Sequence, residues 1–162
     1  MTRMTKKPLV LTEDSMAKIN KVLMNLLKQS DAKCAILVDQ DGKCMAKKGF
    51  TKTIDTDALS ALIAGAFSST KAMAKLVGEK DFSVLFHQGN KDHIHNILVD
   101  DDTILTVIFD NRTTIGMVRL YSKESAQGMK EVLSQMRASV KKDKGVDIVK
   151  EASDRLDDLF GA

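Results

Sequence analysis

The chain has 162 residues, of which 43% are hydrophobic and 29% charged, and its formal net charge is +3. Such a composition is globular, with enough chain for one domain, a sizeable core and a tail, but too little for two ordinary domains. The basic residues are spread along the chain apart from Lys6, Lys7 and the 141–144 segment, and there is no Trp and one Tyr, so no basic stripe interleaved with aromatics is present and nucleic acid is a weakly supported partner.

Residues 1–11, broken by Pro8, read as a tail without the apolar core of a signal peptide, and no apolar run reaches the length of a membrane span. A cytoplasmic protein is expected. From Thr12 to Ser30, N-cap options at Thr12, Asp14 and Ser15 and the stripe Met16, Ile19, Val22, Leu23, Leu26 and Leu27 predict an amphipathic helix. Ala32 to Asp39 is an apolar run closed by the turn Gln40-Asp41-Gly42, and residues 43–47 return as a lysine-bearing strand. The first strand should be central and the second an edge. A two-residue turn sets Cys44 opposite Asp39, not Cys34, so both cysteines read as reduced thiols.

The stretch from Asp55 to Val77 is the best-defined helix. Asp55 or Thr56 caps it, Asp57 sits in its first turn and Gly78 follows its end. A helical period puts Leu59, Leu62, Ile63, Ala66, Thr70, Met73 and Val77 on one face, read as the core stripe. The opposite face carries Ala61, Ala64, Gly65, Ser68 and Ala72, and no charge falls between Asp57 and Lys71. A mid-helix Gly costs about 1 kcal/mol against Ala, so this smooth face calls for a cause. Either a second backbone approaches it closely, or the helix is buried within its own subunit.

Asp81 to His87 alternates as a strand, and His93–Val99 and Thr103–Asp110 form a hairpin about Asp100, Asp101 and Asp102, the last strand being central. The three acids lack EF-hand spacing and read as solvated turn acids. Thr113 or Thr114 caps a helix running toward Ser139, although IGMVRLY also has the pattern of a strand with a Gly bulge. Residues 141–145 (KKDKG) read as a polar linker. Beyond it Ile148, Ala152, Leu156, Leu159 and Phe160 share one face of a short amphipathic segment, which either docks into a groove or folds back.

Chemistry is sparse. His93 and His95 share one face of a strand and could meet His87 across the hairpin, but nothing completes a metal site, and structural histidines are the favoured reading. Nucleophile elbow, phosphate loop and dinucleotide fingerprint are all missing. Arg112 in DNRTT could serve as an arginine finger, though a structural turn arginine is the commoner case. No catalytic residue, metal or cofactor is assigned.

The element order and the stretches AILVDQDGK, IDTDALSALIAGAFSSTKAMAKLVGE, FHQGNKD, VIFDNRTTIGMVRL and RLDDLF resemble the Roadblock/dynein light chain family, including members that act in bacterial polarity. The resemblance implies an α+β, profilin-type fold: a five-stranded, mostly antiparallel sheet with one long helix on one face and two on the other. It divides the chain into a tail over 1–11, a Roadblock domain over 12–140, and a linker and partner-docking segment over 141–162. It further implies a homodimer joined along the Phe82 strands, with Phe82, Val84, Phe86, Gly65 and Ser69 at the seam. The partner would be a Ras-like small GTPase in its GTP form, with no nucleic acid and no membrane span involved, in a cytoplasmic protein concentrated at a cell pole. The partner contacts would be Ala61, Ala64, Gly65, Ser68 and Ala72, joined by Leu156, Leu159 and Phe160. Hydrolysis would be stimulated by re-aligning the GTPase's own residues, which argues against Arg112 as a finger. The other reading is a scaffold dimer that leaves GTP turnover unchanged.

Overall fold

Thr12 caps the first helix, accepting the Ser15 amide at 3.2 Å, and α1 (Glu13–Ser30) ends where Asp31 turns left-handed at φ 56°. A computed structural model describes residues 11–160, without the side chains of 139–151, 157, 158 and 160. The expected tail, but for Leu11, lies outside the described residues.

After α1 come β1 (Cys34–Asp39), β2 (Cys44–Gly49), α2 (Thr56–Leu76), β3 (Val84–Gln88), β4 (His93–Asp100), β5 (Thr103–Phe109) and α3 (Ile115–Phe160). The strands form one antiparallel sheet in the order β2-β1-β5-β4-β3. As the runs of apolar residues require, β1 and β5 are central and buried nearly throughout, and the lysine-bearing β2 is an edge. β3 forms the other edge. The β1–β2 register differs from a two-residue hairpin: a bulge sets Cys44 opposite Val38 and Cys34 opposite Gly49. Asp39 causes this, its Oδ1 accepting the amides of both Asp41 and Lys43 and so widening the turn. The conclusion about the thiols stands, since both cysteines are free.

Strand alternation divides the core between two faces. Ala35, Leu37, Leu105, Val107 and Phe109 point to the side covered by α1 and α3, where Ile19, Leu23, Leu26, Val118, Met129 and Leu133 complete the larger core. Ile36, Val38 and Ile104 point to the other side and meet Ile63 and Phe67 of α2. One long helix therefore lies on one face and two on the other, the expected α+β arrangement.

α3 begins as a helix, with the Thr114 hydroxyl accepting the Met117 amide at 3.3 Å, so IGMVRLY is not a strand. It then runs through 141–145, where a linker is expected. KKDKG contains no proline, and a single glycine costs only about 1 kcal/mol, so nothing in that stretch breaks a helix.

Candidate partner-binding face

α2 is turned from the position its sequence suggests. The side chains it buries are Thr56, Ser60, Ile63, Phe67 and Ala74, while Leu62, Met73 and Leu76, apolar though they are, stand 71%, 57% and 87% exposed, and Val77 is exposed too. Phe67, absent from the expected stripe, is the anchor of this face, flanked by half-buried Leu59. The hydroxyl of Ser60 donates to the Thr56 carbonyl at 2.6 Å and the Thr56 hydroxyl accepts from Lys47 Nζ at 3.3 Å, so both polar side chains of the buried stripe are bonded within the subunit. Counting hydrophobicity alone therefore assigned Leu62 and Met73 inward, whereas internally bonded Ser and Thr took that place.

At 100° per residue the exposed positions of α2 form one continuous arc with two sides, each a strip along the helix. One holds Leu62, Gly65, Ser69, Met73 and Leu76. The other holds Ala61, Ala64, Ser68 and Ala72, all exposed except half-buried Ala64. No charge falls on this arc between Asp57 and Lys71. A Cβ placed on Gly65 would meet nothing within 4 Å, so no contact inside the subunit requires a glycine there. Ala61 is different, because a Cβ on Gly42 of the β1–β2 turn would lie 2.9 Å from its Cα. The close approach there requires a glycine at position 42.

At the far edge β3 is bonded, among the described residues, to β4 on one side only. Phe82 and Val84 are exposed, whereas Phe86 turns its ring inward onto the core, 6.1 Å from that of Phe109. Asn96 fastens this edge from below: its Nδ2 donates to the Leu85 carbonyl at 3.1 Å and its Oδ1 accepts from the Thr106 hydroxyl at 2.8 Å. Leu156 and Leu159 near the end of α3 are exposed; the side chain of Phe160 lies outside the described residues.

The histidines do not converge. His87 pairs with Ile94 and His95 with Phe86, so His87 points to the α2 face while His93 and His95 point to the α1/α3 face. Among the described residues no group of His, Cys, Asp and Glu could hold a metal ion. His93 is bonded within the subunit, its Nδ1 accepting the Gly89 amide at 3.2 Å and its Nε2 lying 3.3 Å from Asn111 Oδ1. His95 is 1% exposed, and neither ring nitrogen has a hydrogen-bond partner among the described residues. Burial, reinforced by Arg119, lowers its pKa to about 4.

The unfolded chain takes up a proton at this histidine near pH 6.5 and the folded chain resists it, so the stability is complete above that value and is lost as pH falls toward 4. Thermal melts of native protein should fall through this window, by up to about 3 kcal/mol of stability. His95→Leu should flatten the profile between pH 6.5 and 4, and an unchanged slope would refute the assignment.

Burial pushes the Cys34 thiol up to about 11 and raises that of Cys44, so neither is an activated nucleophile. The Nε of Arg112 donates to both carboxylate oxygens of Asp110, at 3.1 and 3.3 Å, closing the turn before α3. These bonds hold Asp110 below the usual carboxylate range. The acidic turn is not simply solvated: Arg137 of α3 reaches Asp100 Oδ2 at 3.1 Å and Asp102 Oδ2 at 3.7 Å. Sequence spacing gave no sign of this, since the residues are 37 and 35 positions apart.

The sequence model of the Roadblock/LC7 domain matches residues 18–109. Among solved structures, Myxococcus xanthus MglB is 38% identical, with a TM-score of 0.74 over 79% of this chain and 96% of its own. The gliding protein MglB of Thermus thermophilus is 28% identical, with a TM-score of 0.76 over 81% of this chain and 99% of its own. An MglB in a tetrameric arrangement is 27% identical, with a TM-score of 0.76 over 82% and 99%.

Proposed function

The chain belongs to the Roadblock/LC7 family, and from that premise we propose that it is an MglB-like homodimer that binds a Ras-like small GTPase of the MglA type in its GTP form and accelerates hydrolysis. The observation that carries this reading is α2, whose broad exposed arc carries no charge between Asp57 and Lys71. A helix serving only its own sheet would present lysines and glutamates there. A charge-poor arc this broad suits two covering surfaces, a second copy and a partner. The tetrameric MglB relative supports self-association as a property of this type of chain.

The acceleration would arise by electrostatic preorganisation: the dimer holds the GTPase's own arginine and glutamine against the transferring phosphoryl group and supplies no catalytic residue. Arg112, folded back on Asp110, suits a structural role better than that of a finger. The segment over 141–162, with Leu156, Leu159 and Phe160, would be a second contact that tunes affinity or nucleotide exchange. In a cell this activity would serve polarity and motility, in the cytoplasm and concentrated at a pole.

Single-turnover GTP hydrolysis by the cognate GTPase tests the proposal. Saturating dimer should raise the rate about tenfold or more. No acceleration despite binding would leave the scaffold reading, a Roadblock dimer with no effect on turnover.

A further inference from the structure

We propose that the β4–β5 turn is a clasp that sets the direction in which α3 leaves the domain, with Arg137 as its positioning residue. Among the described residues Met136 is the last buried one of α3, and every described side chain after Arg137 is exposed. Arg137 thus follows the last described core contact of the helix, with 23 residues, roughly 35 Å of helix, still to run to Phe160.

A helix held only by apolar packing can rock about its last contact. Arg137 removes that freedom: its Nη1 lies 3.1 Å from Asp100 Oδ2 and its Nη2 3.7 Å from Asp102 Oδ2, so one planar fork spans two acids of one turn. The side chains of Asp100 and Asp102 are only 12% and 15% exposed, which limits screening by solvent. The turn itself cannot yield easily. Asp100 Oδ1 accepts the Asp102 amide at 2.9 Å, and the Asp102 carbonyl accepts the Gln40 amide at 2.8 Å. From the opposite face of the sheet Lys71 of α2 donates to the Asp101 carbonyl at 3.2 Å. Three consecutive acidic residues therefore hold α3 on one side and α2 on the other.

The functional meaning rests on the reading above, in which α2 and the end of α3 both touch the GTPase. Lys71 adjoins Ala72 in the proposed partner strip, so the clasp fixes the far segment relative to that strip.

The test is a distance measurement on the full chain. Spin labels at Lys75→Cys and Ser153→Cys, in a Cys44→Ser background and diluted into unlabelled chains, report the angle between α2 and the end of α3; buried Cys34 does not label. One narrow distance distribution is expected for the native turn, and Arg137→Gln should broaden it about twofold or more. Arg137→Asp alone should broaden it likewise, and adding Asp102→Arg should narrow it again, which a general loss of packing would not do. An unchanged width in Arg137→Gln, or a native distribution already as broad, overturns the clasp. If the distribution responds while GTPase affinity of Arg137→Gln stays native, the clasp stands and the partner role of the segment falls.

Discussion

Replacing Ser68 and Ala72 together by arginine is expected to abolish binding of the GTP-bound GTPase, weakening it at least about 100-fold, or about 2.8 kcal/mol, while leaving the subunit folded. Both positions are exposed and lie one helical turn apart, so nothing in the subunit resists the larger side chains. What resists them is the partner. A strip made of Ala61, Ala64, Ser68 and Ala72 permits close approach, and two guanidinium groups would have to be desolvated there without carboxylates of their own. Circular dichroism should match the native protein, and a pull-down with GTP-loaded GTPase reads the loss. Native-like capture would remove this strip from the interface, while unfolding is not expected because the buried side of α2, Ile63 and Phe67, is untouched.

The scaffold was legible because its signals are local. Asp55 and Thr12 both cap helices as read, and the uniformly apolar β1 and β5 are central. The rotation of α2 was misread because hydrophobicity favours Leu62 and Met73 as core, while the buried positions at Thr56 and Ser60 look polar until their bonds, to the Thr56 carbonyl and to Lys47, are seen. The widened turn at Asp39 escaped because its cause is one carboxylate accepting two amides. The Arg137 clasp, and the burial of His95 without a hydrogen-bond partner among the described residues, depend on contacts between distant segments, which no period encodes. The candidate face itself was visible in the missing charges; which residues lie on each of its two sides was not, since that needs the true rotation of the helix.

Leu62→Asp should convert the dimer to monomer. Its strip, Leu62, Gly65, Ser69, Met73 and Leu76, carries the greatest exposed apolar area of α2 and contains the two α2 residues assigned to the seam. In an isologous dimer one substitution acts twice. Burying a leucine contributes about 1.5–3 kcal/mol, so two copies lost amount to about 3–6 kcal/mol, a rise in the dimer dissociation constant of roughly two to four orders of magnitude. The monomer should keep its melting temperature, since Leu62 is already 71% exposed. Gly65→Leu provides the control by bulk instead of charge. Inside the subunit its side chain meets open space and relieves a helix glycine, so the monomer should gain up to about 1 kcal/mol while the dimer weakens. Sedimentation of both variants distinguishes the causes. Opposite changes in subunit stability and self-association can arise only where the glycine answers to a second backbone, and a Gly65→Leu protein that is more stable and still dimeric would move the seam from this strip to the β3 edge alone.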